Sequence, residues 1–273
     1  MFGEYEYGRL PAGKFEELRA HTVRAIEDFT VSLVLNDWLC GSGTLIDAYG
    51  NLGILTAHHV AQQLDCDRGS DFCLIIAEHV HRFEIERVCV EHIPLGIPEN
   101  ASAVGPDLSF LKLAGESMLA TLKSKKSFYR VSDKSFDQYR QLPLDKVFWF
   151  LAGAPAAKAR PMTSKTREGA LAAEHLVAEA GFKELSSNGE LEYLRLQLIA
   201  GTDPFPENYK GVSGGGVWIA PMTMDRPDDF GSLAVEPCHL AGVAYWQGEF
   251  VNGSREIVAN GPRSLDVLLQ KLR

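Results

Sequence analysis

From Asp28 onward the chain is written in short runs of β-branched and aromatic residues, and this rhythm constrains the fold more than any other feature. FTVSLVL, GTLID, LGILTA, FCLIIA, HRFEIERV and DLSFLKL follow one another, with Gly, Asn and Asp between them, as at AYGNLG and CDRGSD. Such side chains fit a pleated surface, and the punctuating residues supply the backbone angles of tight turns. A second group follows residue 140: KVFWFLAGAP, LEYLRLQLI, GGGVWIA, CHLAGVAYWQG and REIVAN. Two consecutive groups of similar size, with no internal repeat, predict an all-β chain of two packed antiparallel β-barrels. The first covers residues 28–135 and the second 136–273.

Three segments have another grammar. Residues 14–27, KFEELRAHTVRAIE, space Phe15, Leu18, Val23 and Ala25 as an amphipathic helix within an N-terminal extension, 1–27. Residues 165–180, KTREGALAAEHLVAEA with its preceding Ser164, are rich in Ala, Leu and Glu and predict a helix inserted into the second barrel. The final PRSLDVLLQKL predicts a terminal helix capped by Ser264, with Leu265, Leu268, Leu269 and Leu272 as its buried face.

Composition narrows the classes of function. The net charge is −9, without the basic face of a general nucleic-acid binder. The densest cationic cluster, Lys123, Lys125 and Lys126, reads as a solvated turn. The longest apolar stretch, 147–157, is too short to span a bilayer, and the N-terminus carries no apolar leader. The five cysteines are odd in number and sparse, so no disulfide framework can be read from them. A cytoplasmic protein with free thiols is the expectation, Cys40 and Cys238 being buried strand residues. Cys66, Cys73, His79, His81, Cys89 and His92 crowd one region but lack the paired spacing of a zinc site, so they read as core thiols and surface histidines.

The chemistry is concentrated in GSGTLIDAYGNLGILTAHHVA (41–61), GPDLSFLKL (105–113) and KGVSGGGVW (210–218). Acyl transfer needs a hydroxyl nucleophile, a base, a carboxylate to orient that base, and backbone donors for the oxyanion. Ser213 lies in a glycine-rich turn whose backbone can aim the N–H groups of Gly211 and Ser213 at one point. His59 follows an apolar strand, and Asp107 opens another.

These segments resemble the signature boxes of trypsin/chymotrypsin-like serine peptidases. TAHHV is similar to that family's histidine box, with His58 in place of its alanine. PDLSFLKL resembles the aspartate box and GVSGGGVW the nucleophile box. LAGVAYWQG (240–248) resembles the strand that binds substrate backbone, and WFLAGAP (149–155) the strand that opens the second barrel. The order His, Asp, Ser is also that family's.

The resemblance implies two packed six-stranded antiparallel barrels and a serine endopeptidase. His59 would be the base, Asp107 its orienting acid and Ser213 the nucleophile, with Gly211 and Ser213 N–H as the oxyanion hole. No metal and no cofactor is implied. Tyr245, Trp246 and Gln247 would edge the substrate pocket. Glu207, six residues before the nucleophile, would sit at its base and favour Arg or Lys, unless it is a solvated loop acid. Val212 replaces the acid that pairs with a freed N-terminus in trypsin, which implies that this activation switch is absent. The partner implied is a protein or peptide, with no nucleic acid and no membrane. Among bacterial relatives of this type a single dedicated substrate, cleaved in anti-phage defence, is the analogy. Two alternatives stay open: a gated or inactive fold that binds peptides, and an esterase using the same triad.

Overall fold

In the computed structural model the residues described are 13–66, 72–77, 81–98, 105–131, 147–163, 168–223, 232 and 234–273. The chain opens on α1 (Lys14–Glu27), followed by β1 (Thr30–Leu35), β2 (Trp38–Ala48), β3 (Asn51–Thr56), α2 (His58–Cys66), β4 (Phe72–Ala77) and β5 (His81–Ile85). A 3-10 turn, Arg87–Cys89, leads into β6 (Val90–Gly96), β7 (Leu108–Leu113), α3 (Glu116–Lys123) and β8 (Tyr129–Val131). The second half holds β9 (Val147–Gly153), β10 (Ala159–Thr163), β11 (Glu168–Ala173), β12 (Leu176–Asn188), β13 (Leu191–Ile199), β14 (Gly216–Thr223), β15 (Ala234–Val235), β16 (His239–Val251), β17 (Ser254–Asn260) and α4 (Pro262–Leu269).

The first sheet runs β5-β4-β1-β2-β3-β7-β6, with β8 parallel to β2 and every other pair antiparallel. β5 and β6 are joined by the single 3-10 turn, so this bent pair links β4 at one end of the sheet to β7 at the other. Counted as one stave, it gives the expected six. The second sheet closes outright, because β14-β16-β17-β13-β12-β9 ends in a strand that pairs back onto β14. The predicted all-β, two-barrel architecture is therefore present. The boundary between 135 and 136 falls outside the described residues.

Each barrel has its own core. Val31, Leu33, Leu45, Ile54, Phe72 and Leu74 fill the first, and Trp149, Leu151, Leu194, Leu196, Val217 and Ile219 the second. A third cluster lies between them and joins Ile46, Leu55 and Phe110 to Phe150, Trp218 and Val243, with Leu265, Leu268, Leu269 and Leu272 from the C-terminal helical segment. β1 is buried along its whole length, since Val34 packs outward against Ile75 and Leu171 while Leu33 packs inward. That double burial suits a strand whose only polar side chains, Thr30 and Ser32, are themselves buried.

The inserted helix is a correction. Glu168–Ala173 and Leu176–Asn188 are strands; β11 pairs with β10, and β12 pairs with both β9 and β13. Without β12 the second ring would stay open between β9 and β13, and helix propensity is too weak to outweigh that pairing. Leu176, Val177 and Ala178 are consecutive and all buried, a strand buried on both faces rather than a helical stripe.

Ser264 is a second correction: Gly261 holds the N-cap position, and the Ser264 hydroxyl donates to Glu192 O (2.6 Å) while accepting from Glu192 N–H (2.8 Å). It fastens α4 to β13 instead of capping the helix. Lys126 is a third. Its side chain is buried, and its ammonium donates to the Glu27 carbonyl at the end of α1 (2.7 Å). In α1 itself Thr22 and Ile26 take the buried positions, flanked by half-buried Leu18, Val23 and Ala25, while the side chain of Phe15 lies outside the described residues.

No helix among the described residues is long and apolar enough to cross a membrane. No group of three metal-ligating side chains gathers among them either. Of the crowded cysteines and histidines, His79 and the side chains of Cys66 and His81 lie outside the described residues; Cys73 and Cys89 are free thiols, as are Cys40 and Cys238.

Candidate active site

α2 starts one residue after β3 and docks through Ala57, Val60, Ala61 and Leu64, all fully buried in the first core. That spacing is one helical face, so His59 and Gln63 turn the other way, into a cleft of about 550 Å³ between the barrels. Asp107 immediately precedes β7. Its carboxylate receives the His59 backbone N–H on Oδ1 (3.0 Å) and the ring Nδ1–H on Oδ2 (2.7 Å). The acid is nearly buried and the imidazole more than a third exposed. With Nδ1 committed to Asp107, the neutral ring keeps its Nε2 lone pair for the cleft. Asn260 Nδ2 holds Asp107 from behind by donating to its carbonyl (2.9 Å).

His58 faces the other way. It is buried, and its Nδ1 meets Ser109 Oγ at 2.8 Å; His92 Nε2 meets the same hydroxyl at 2.9 Å. The far nitrogen of His92 binds Asp65, which also binds Arg87. Burial, together with the nearby His92, pushes the His58 imidazole below its ordinary range. Burial would raise the Asp65 carboxyl, but the His92 hydrogen bond and the positive partners hold it below the usual range.

Ser213 comes from the second half. Gly211 and Gly214 bracket it at φ +92° and +87°, angles an L side chain rarely adopts. A Cβ on Gly214 would overlap Ser42 O and Thr56 Oγ1, so the turn presses directly against the first barrel. Nearly every N–H of this segment is used. Tyr209 N–H donates to Gln247 Oε1, Lys210 N–H to Asn208 Oδ1, Val212 N–H to Tyr209 O, Gly214 N–H to Ala244 O and Gly215 N–H to Val212 O. Gly211 and Ser213 N–H alone find no acceptor among the described residues. The Ser213 hydroxyl donates to Tyr245 O at 3.5 Å, and no hydrogen bond joins it to His59 among the described residues.

One side chain here went unread in the sequence. Ser42 Oγ donates to Gly211 O (2.7 Å) and accepts from Ala154 N–H (2.8 Å), while Ser42 N–H donates to Ser213 O (2.8 Å). A serine of the first barrel thus holds the Gly211–Val212 peptide and the peptide that follows Ser213. Nothing in GSGTL distinguishes it beforehand from a strand serine.

The cleft walls are Leu39, Cys40, Ala156, Tyr209 to Ser213, Ala244 to Gln247, and Ile257. Tyr245, Trp246 and Gln247 line the same cleft as His59 and Ser213. Glu207 does not: its side chain is exposed and outside the cleft wall, and its carbonyl accepts from Arg255 Nε (2.8 Å). The inward position goes to Tyr209, which is 2% exposed and donates its hydroxyl to Ile199 O (2.5 Å). Burial drives that phenol well above its ordinary range, so it stays neutral.

No family model and no curated protein matches the chain. Among solved structures, neuropsin, a serine protease expressed in the limbic system of mouse brain, aligns over 91% of this chain and 95% of its own, with 13% identity and a TM-score of 0.46.

Proposed function

We propose that this protein is a serine endopeptidase with His59, Asp107 and Ser213 as its triad. The observation that carries the proposal is the double hydrogen bond between His59 and Asp107 at the wall of the cleft that Ser213 also lines, beside two unengaged N–H donors.

The reaction starts when the Ser213 hydroxyl rotates from Tyr245 O toward His59. Nε2 takes its proton, and Oγ bonds to the scissile carbonyl carbon. The carbonyl oxygen becomes an oxyanion, received by Gly211 and Ser213 N–H. His59 passes its proton to the departing amine as the C–N bond breaks, leaving an acyl ester on Ser213. Water then attacks that ester, giving its proton to His59; Oγ takes the proton back as the acid leaves. Asp107 stays ionised throughout and orients the imidazolium.

The substrate class proposed is protein, in the manner of one dedicated partner, with effector cleavage in anti-phage defence as the biological analogy. The Ser213 hydroxyl, resting on Tyr245 O, reaches His59 by rotation once an acylating group enters the cleft.

A fluorophosphonate that acylates activated serines tests the reading. Wild type is expected to label, and Ser213→Ala and His59→Ala to lose labelling by about a thousandfold or more. Folded wild type that stays unlabelled at every pH removes the peptidase reading and leaves the peptide-binding one.

A further inference from the structure

Among the described residues the cleft wall carries one permanently charged residue, Lys210, and no carboxylate. Lys210 is held by its backbone at both ends: its N–H donates to Asn208 Oδ1 (2.9 Å), and its carbonyl accepts from Ala156 N–H (2.6 Å). Its position three residues before Ser213 is therefore fixed, while its side chain is exposed and forms no ion pair among the described residues.

A second cation stands behind the wall. Arg255 lies two residues before the cleft residue Ile257 on β17, so both project from the same face of that strand. Its guanidinium donates to Glu207 O (2.8 Å) and Gly248 O (2.6 Å), residues that adjoin the two wall segments 209–213 and 244–247. Those partners are neutral carbonyls, so its charge is not cancelled by any carboxylate among the described residues. The remaining polar liners do not cancel it either: the Gln247 amide is spent on Asn208 Oδ1 (2.8 Å) and Tyr209 N–H (2.9 Å).

In a chain of net charge −9, a substrate cleft bounded by two uncompensated cations is a local reversal of sign. Distant surface acids are screened beyond about 8 Å at physiological salt, so the local charges decide what the cleft attracts. The flanking surfaces, Trp246, Ile257 and Leu39, are apolar and lower the effective dielectric around them.

From this geometry we infer that the cleft selects peptide segments carrying a carboxylate side chain, Asp or Glu, beside the bond presented to Ser213, with Lys210 as the residue that reads it. Arg255 adds long-range attraction without direct contact. This reverses the preference for basic residues that Glu207 suggested in the sequence. The consequence for cleavage rests on the peptidase reading; the binding preference does not.

The test uses folded Ser213→Ala protein, so that binding is read without turnover, and fluorescent peptide pairs differing only in Glu against Gln or Lys. The Glu peptide is expected to bind about tenfold more tightly than its Gln partner, a typical value for a charge-assisted hydrogen bond in a half-exposed site. Lys210→Gln should abolish the difference. Lys210→Glu, at an exposed position, should turn the preference toward the Lys peptide. Raised salt should shrink the gap. Equal binding of the pair, binding of neither, or a preference that survives Lys210→Glu overturns the inference. Fluorophosphonate labelling of the wild type, run alongside, reports separately on the peptidase reading: unlabelled protein that still prefers Glu keeps the one and loses the other.

Discussion

In the proposed mechanism Ser42 braces the turn that carries the oxyanion donors, as Asp107 braces the base. Its hydroxyl joins Gly211 O and Ala154 N–H across the two barrels. Ser42→Ala strands both groups, and a buried polar group without a partner costs about 1–3 kcal/mol. The Gly211–Val212 peptide, which lies between the Gly211 and Ser213 N–H groups, then loses its fixed carbonyl. Because those two N–H groups on either side of it matter only once the proposed oxyanion forms, the substitution is expected to slow fluorophosphonate acylation more than it weakens peptide binding, and equal losses in both would show that Ser42 is merely structural. The His58 pair of hydrogen bonds makes a second case. When His92 is neutral, its Nδ1–H binds Asp65, its Nε2 accepts from Ser109, and Ser109 accepts from His58 Nδ1–H. Nitrogen-detected NMR is expected to show His58 as the Nδ1–H tautomer, and a His58 ring that carries its hydrogen only on Nε2 would contradict this arrangement. In the sequence His58 and His59 stand side by side, and only the likeness of TAHHV to the family's histidine box favours His59. The buried face of Ala57, Val60, Ala61 and Leu64 separates them physically, and it can be counted along the chain. Ser42 and Ser109 could not be found that way, since their partners lie on strands distant in sequence.

At the scale of elements, most strands were legible and the two at Glu168–Ala173 and Leu176–Asn188 were not, for one reason. β-Branched runs such as TVSLVL state their own preference, whereas EGALAAEHLVAEA is a helix former overruled by the edges of β9 and β13. Lys126 shows the same limit for charge. Its place among lysines suggested solvent, but the junction of α1 with the loop after α3 buries it, and burial pushes its ammonium down to about 8 from the ordinary 10.5 despite nearby Glu27 and Asp28. The sign follows from proton counts. Between those two values the unfolded chain holds a proton that the folded one has released, so stability rises with pH across that interval. The charged form therefore weakens the fold below about pH 8, by an amount on the order of 3 kcal/mol. Urea unfolding at pH 7 and pH 9.5 is expected to show this rise in wild type and to lose it in Lys126→Met. The half-buried thiols Cys40 and Cys238 act in the opposite sense from about pH 9, and the tyrosines Tyr129, Tyr193, Tyr209 and Tyr245 from about pH 10, all having raised pKa values, so the Lys126 contribution is read as the difference between wild type and Lys126→Met. A rise that persists in Lys126→Met would assign it to another group.

At the scale of the whole molecule, the site exists only while the barrels stay joined. His59 and Asp107 belong to the first sheet and Ser213 to the turn that enters β14 of the second. The cluster between them is no smaller than the core of either barrel, and it contains Trp218, which stacks on Phe29 (centroids 5.4 Å apart) and meets Tyr129 edge-on (5.2 Å). These aromatics come from both halves, so separating the barrels would expose them along with Leu265, Leu268, Leu269 and Leu272. A chain of 273 residues need not unfold in one step, since two-state behaviour is ordinary only below about 150 residues. The shared cluster argues that it does. Removing Leu269, fully buried there, leaves a cavity worth about 2–5 kcal/mol. If the barrels part only on global unfolding, tryptophan fluorescence and fluorophosphonate labelling lose their signals at one urea concentration, and Leu269→Ala moves both midpoints together. If labelling fails at lower urea than fluorescence, the barrels separate while each remains folded, and Leu269→Ala widens that gap. The first outcome is expected, because the glycine turn at Ser213 is pinned to Ser42 of the opposite barrel by the same contact that closes the interface.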